Sequence, residues 1–171
     1  MIISSAAVPG LILMVLLALV VLYDGLTYRI PNWLNGLIAV MFVLAHLQNW
    51  DRMFWANHIG AAALVFVVGI VFFRFRWLGG GDVKLIGACA LWTGFAQLPE
   101  LIVYGALAGG ALALAILLCR RVNALMGPAM PGWLRGGALA MLDPERGLPY
   151  GLAIAFGALI ALRPWVPLLG V

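Results

Sequence analysis

Charge is what this sequence has least of. Lysine, arginine, aspartate and glutamate make up 9% of the 171 residues, against 65% hydrophobic residues, and mean hydropathy is +1.12. A soluble domain of this length has too little interior to hide so much apolar surface, so most of the chain is solvated by lipid. Cysteine is nearly missing as well: Cys89 and Cys119 stand alone in apolar stretches. That spacing excludes a disulfide framework and a thiolate metal site, and leaves both as apolar filler. The ten basic residues form no cluster interleaved with aromatics, so the net charge of +4 is not that of a nucleic-acid binder. Met1–Val20 has neither a positive n-region nor a small-x-small cleavage site, and is expected to be a retained first span, not a removable signal.

What is present is hydrophobic run after hydrophobic run. Hydropathy divides the chain into six spans, at about Pro9–Tyr23, Trp33–Leu47, Asn57–Phe73, Asp82–Ala96, Leu98–Cys119 and Leu148–Leu162. The fourth, short and preceded by glycines, is also compatible with a re-entrant helix. With six crossings, one side receives Arg29, Arg74, Arg76, Lys84, Arg120, Arg121, Arg135 and Arg146, and the other only Arg52 and Arg163. This positive-inside bias vanishes if the fourth segment does not cross. The expectation is an all-α polytopic bundle of about six transmembrane helices, a single domain over residues 1–171, with both termini on the non-cytoplasmic side. The Arg120–Gly147 connection, with Met126, Met130, Trp133, Leu134, Leu139 and Met141, reads as an interfacial segment on the cytoplasmic leaflet.

Acidic residues number six, and two of them stand where spans meet polar sequence. Asp24 opens Asp24-Gly-Leu-Thr-Tyr-Arg-Ile30-Pro31-Asn32, and Asp82 closes Gly79-Gly80-Gly81-Asp82 ahead of Val83-Lys84-Leu85. An ionisable group at a bilayer boundary is a functional-site hypothesis by default. The span assignment brings both to the cytoplasmic face, where a pair of carboxylates sharing a proton can activate water. Their structural alternatives are a helix N-cap for Asp82 and a surface anion paired with Arg29 or Lys84 for Asp24. Helix-end position assigns water activation to Asp82, at a positive terminus, and polarisation of the scissile carbonyl to Asp24, at a negative one.

The remaining polar residues read as supports. Gly79 and Gly81 let the backbone turn and approach a neighbour closely. Lys84 is a positive-inside anchor, with steadying the aspartates or holding an anionic lipid or substrate group as its functional readings. Ile30-Pro31-Asn32 reads as a break between spans, with Asn32 capping the next helix. Asp143 and Glu145 are expected to be loop charges, and Asp51 and Glu100 solvated loop ends. His46 and His58 fall toward the face opposite the aspartates, too far to serve as bases.

These motifs, in this order and spacing, resemble the type IV prepilin peptidases, a family of membrane aspartyl proteases. The resemblance rests on Asp24 with Ile30-Pro31-Asn32, on Gly79-Gly80-Gly81-Asp82 as a Gly-x-Gly-Asp signature, on Val83-Lys84-Leu85, and on Gly147-Leu148-Pro149-Tyr150-Gly151-Leu152-Ala153. It implies that Asp24 and Asp82 are the catalytic pair, with no metal or other cofactor. It implies as substrate a prepilin or pseudopilin, whose short basic leader is cut after a glycine at the cytoplasmic face of the bacterial inner membrane. Longer family members carry paired Cys-x-x-Cys motifs and N-methylate the new terminus. This chain lacks those cysteines and resembles the short, tight-adherence (Flp) form, which implies peptidase activity without methylation. The competing reading is a small proton- or ion-coupled transporter with Asp24 and Asp82 as relay carboxylates. Both acids at one face, not at the midplane, argue against it.

Overall fold

A computed structural model describes residues 8–48, 51–126 and 148–163, and every regular element among them is helical. Five helices follow one another: α1 (Val8–Thr27), α2 (Asn32–His46), α3 (Arg52–Arg74), α4 (Gly80–Met126) and α5 (Tyr150–Ala161). Lipid offers backbone groups no partners, so apolar runs of this kind close their hydrogen bonds within the segment. Val8–Thr27, Arg52–Arg74 and Gly80–Arg121 are long and apolar enough to cross a membrane, and α2 and α5 are shorter apolar helices. Leu26, Met53, Val67 and Leu107 are each more than half exposed on the outer surface, as lipid-facing side chains are. The chain is a helical membrane protein.

The 47-residue α4 is not one rod. Gly94 has φ +58° and ψ −171°, outside helical geometry, and residues on both sides of it line a common groove, Leu78 and Ile86 facing Gly105, Gly109 and Ala113. A straight helix would hold positions 80 and 113 about 50 Å apart, so the chain doubles back at Gly94 into two arms, 80–93 and 95–126.

Breaking a helix inside a membrane leaves backbone groups without partners. Here Leu91 C=O and Phe95 N–H, which an unbroken helix would join, are taken up by consecutive residues of α3. The Nδ1 of His58 lies 2.6 Å from Leu91 O, which fixes it as the donor, and Asn57 Oδ1 accepts from Phe95 N at 3.2 Å. A Cβ on Gly94 would lie 2.6 Å from Asn57 Nδ2 and 3.0 Å from His58 Cε1, so the same clamp requires glycine.

The core lies between α1, α2, the 80–93 arm and α5, with Leu17, Leu34, Ile38, Leu85 and Trp92 almost wholly buried. Trp92 Nε1 donates to Ile38 O at 3.0 Å. On α5, Gly151, Ala153, Ala155, Gly157, Ala158 and Ala161 are buried, and these small residues let its backbone approach the 95–126 arm. A Cβ on Gly157 would meet Leu101 O at 2.7 Å and Gly105 N at 2.6 Å, so these two helices touch backbone to backbone.

Several expected boundaries move. Helix α1 runs on to Thr27, so Asp24 lies inside its last turns and not beyond them. Helix α3 starts at Arg52, ahead of Asn57, because Asp51 is its N-cap and accepts from Met53 N. Pro31, not Asn32, is the N-cap of α2, and it offers no side-chain bond. The break expected near Gln97 falls at Gly94, and Glu100 is an exposed residue within α4, not a loop end. Most of the Arg120–Gly147 connection, with Asp143 and Glu145, lies outside the described residues.

Candidate functional site

Asp24, Asp82 and the Ile30–Asn32 linker come together where α1 ends and α2, α4 and α5 begin. The approach is built from glycines. A Cβ on Gly81 would stand 3.2 Å from Ile30 Cβ, and one on Gly151 would stand 3.0 Å from Ile30 Cδ1. Ile30, itself buried, therefore fills the gap between the first turns of α4 and α5. Asn35 Nδ2 donates to Gly81 O at 3.2 Å, and Lys84 Nζ donates to Asn32 Oδ1 at 2.8 Å. The linker and the first turn of α2 are thus tied to α4 at Gly81 and Lys84, in keeping with Ile-Pro-Asn as a positioning element.

Each aspartate has a backbone donor. Asp82, the third residue of α4, reaches back to accept from Gly79 N at 3.0 Å, the side-chain half of a capping box. The expected N-cap role is therefore displaced by one turn: the side chain serves the cap position without occupying it. The same contact explains Gly79, where a Cβ would lie 2.9 Å from Asp82 Oδ2.

Asp24 is only 4% exposed, and Gly151 N donates to its Oδ2 at 2.7 Å, with the Leu152 amide as a second backbone donor. Helix α5 begins after Pro149, which makes no side-chain cap bond; the carboxylate of α1 caps it from a distance of 127 residues along the chain. The expected pairing of Asp24 with Arg29 or Lys84 is not what forms. The dipole argument that separated the two roles also loses its premise, because Asp24 too faces a positive helix terminus. Ile30 packs between the two sites, against Gly81 beside Asp82 and against Gly151, the donor to Asp24, and no direct hydrogen bond joins the carboxylates among the described residues.

Asp82 opens on a cleft of about 560 Å³ bordered by Tyr28, Arg74, Arg76, Trp77 and Tyr150; Asp24 is buried and does not line it. Trp77, Leu78 and Tyr150 are shared with an apolar groove of about 410 Å³ that runs between the two arms of α4 and along α5. Two cleft residues sit in left-handed backbone conformations, Tyr28 at φ 54° and Arg76 at φ 59°. Each follows a helix end, and at Arg76 the bonds Arg76 N to Phe73 O and Trp77 N to Phe72 O form a Schellman motif, whose left-handed residue is usually glycine.

His58 clamps the Gly94 break, and His46 stacks in the same aromatic cluster, its ring centroid 4.6 Å from that of Phe42. Leu91, the partner of His58, is nine residues beyond Asp82 on a straight helical arm, about 13 Å away, so neither histidine serves the carboxylates. Reasoning from sequence missed the amide of Gly151 as a partner of Asp24; proline ahead of a helix with no capping side chain was the available signal.

Residues 11–114 match the profile of the type IV leader peptidase family. A prepilin leader peptidase/N-methyltransferase from Pectobacterium carotovorum subsp. carotovorum is 27% identical over 140 residues, covering 78% of this chain and 50% of that protein. The chain thus spans about half the length of the curated relative it matches. Solved structures offer no match.

Proposed function

The chain belongs to the type IV leader peptidase family, and from that premise we propose that it is an aspartyl endopeptidase using Asp24 and Asp82 to remove the basic leader of a prepilin or pseudopilin. The observation that carries the reading is the convergence of two aspartates from different helices around Ile30, which packs against both Gly81, next to Asp82, and Gly151, the amide donor to Asp24, with Asp82 open to a cleft. Drawn together on a substrate, two carboxylates favour a shared proton, the condition under which one takes a proton from water while the other donates to the carbonyl oxygen. Attack by that water gives a tetrahedral intermediate, and its collapse with proton return to the amine splits the peptide bond.

The apolar groove that continues from the cleft suits the hydrophobic segment following the scissile bond. In this reading the chain crosses the inner membrane six times, α4 supplying two crossings, with the aspartates at the cytoplasmic face and both termini on the other side. Processing occurs without N-methylation, in keeping with two isolated cysteines, one buried in the core. The test is leader cleavage of a co-expressed prepilin by wild type, Asp24→Asn and Asp82→Asn, at matched membrane abundance. Loss in both variants is expected; cleavage retained by either refutes the dyad.

A further inference from the structure

On the side of α4 turned away from the cleft, a groove of about 480 Å³ is walled by three helices. Each contributes residues spaced i, i+3, i+4 and i+7, which is one helical stripe. Half of the lining is small: Gly36 and Ala39 on α2, Ala62 and Ala63 on α3, Gly87 and Ala88 on α4. Small stripes in a membrane ordinarily allow helices to close on one another. Here Phe66 of α3 packs against Gly87 of α4, while α2 and α3 leave space between them and meet at the far end, where Phe42 stacks on Phe54 with centroids 6.2 Å apart.

The two ends of the groove differ in chemistry. At the helix starts stand Asn32, Asn35 and Lys84; about 10 Å further along, one i to i+7 repeat, stand Ala39, Ile59 and Leu91. Asn35 is 4% exposed, and its Nδ2 is committed to Gly81 O. Its Oδ1 is buried with no hydrogen-bond partner among the described residues. An unmatched buried acceptor is costly, so the site asks for a donor. Beside it Lys84 gives one of its three ammonium hydrogens to Asn32 and has others for an anion.

We propose that this groove binds one phospholipid of the surrounding bilayer, with an anionic headgroup that also carries hydroxyl donors, as in phosphatidylglycerol. The phosphate sits on Lys84, the Asn35 carboxamide turns to bring its buried Oδ1 to a headgroup hydroxyl, and an acyl chain lies along the small-residue walls toward Leu91. The ligand requires all three parts: an anion, a donor and a chain. The site is separate from the peptidase reading and stands whether or not that reading holds. It does share Gly81 and Lys84 with the segment carrying Asp82, so its occupancy stiffens that segment.

The test is lipid retention by the full-length protein, purified in detergent and measured by native mass spectrometry with phosphatidylglycerol or phosphatidylcholine added. The wild type is expected to hold one phosphatidylglycerol in preference to phosphatidylcholine. Lys84→Gln should reduce that preference about fivefold, the worth of one basic residue at an anionic lipid surface. Gly36→Leu, at an exposed position where a Cβ meets nothing within 4 Å, and Ala63→Leu, on the opposite wall, should each block retention of either lipid while melting at the wild-type temperature. Equal retention of the two lipids by the wild type, or unchanged retention in a folded groove-filling variant, overturns the proposal.

Discussion

Substituting Gly151 tests the site at its tightest point. An alanine Cβ there would stand 2.8 Å from Asp24 Oδ2 and 3.0 Å from both Asp24 Cγ and Ile30 Cδ1. Ordinary contact begins near 3.4 Å, so the carboxylate must retreat by 3.4 − 2.8 = 0.6 Å, and it must do so while tied to the Gly151 amide at 2.7 Å. Overpacking of this kind costs about 1–3 kcal/mol, and weakening a hydrogen bond to a charged group costs about 1.5–3 kcal/mol. Alanine returns about 1 kcal/mol through its better helix propensity. The net loss of stability is therefore about 2–5 kcal/mol. Misplacing a reacting group by about 1 Å can cost about 100-fold in rate, so cleavage by Gly151→Ala is expected to fall about 10- to 100-fold. The assay is the initial rate of leader removal from a co-expressed prepilin, normalised to folded enzyme in the membrane. Gly25→Ala is the control: it neighbours Asp24 in sequence, but its Cβ meets nothing within 4 Å, and it should keep the wild-type rate. A folded Gly151→Ala enzyme cleaving within about twofold of wild type would show that the α5 amide does not position Asp24.

Three further outcomes follow from the packing. Asp24→Asn keeps an oxygen acceptor for the Gly151 amide and should melt close to wild type, whereas Asp24→Ala orphans that amide and should lose about 1–3 kcal/mol; equal melting of the two would refute the cap. His58→Phe keeps a ring in the aromatic cluster but leaves Leu91 C=O without its donor, for an expected loss of about 1–3 kcal/mol in detergent unfolding; an unchanged midpoint would argue against the clamp. Gly157→Ala places a Cβ against Leu101 O and Gly105 N, so α5 must separate from the 95–126 arm, at about 3 kcal/mol or more. Reduced membrane abundance and thermal stability should show it, while Gly105→Ala, whose Cβ meets only Ala153 O at 3.7 Å, should be mild.

Much of this arrangement is written in local chemistry. Hydropathy places the helices, because lipid allows little else from long apolar runs, and the one-sided arrangement of arginines already puts Asp24 and Asp82 at the same end of the bundle. What the sequence does not show is long-range closure. Asp24 looked poorly placed near a helix C-terminus because its partner, the start of α5, lies 127 residues away. Gln97 marked the obvious polar interruption between spans, yet the break falls at Gly94, where α3 supplies Asn57 and His58 to both loose backbone ends. Those two residues carried no signal by themselves, since a clamp is defined by what it holds. Lys84 was legible as a positive-inside anchor and Asn32 as a helix cap, but their mutual bond depends on the register between α2 and α4.

The left-handed residues at the cleft set two selective demands against each other. At positions 28 and 76 the backbone favours glycine, by about 1–2 kcal/mol over a residue with a Cβ, yet tyrosine and arginine stand there and border the opening in front of Asp82. A programme of thermostabilisation that scored backbone fit alone would convert both to glycine and raise the melting temperature. The same programme would strip an aromatic ring and a guanidinium from the border of the cleft, so heat resistance gained at these two positions is expected to be drawn from substrate handling.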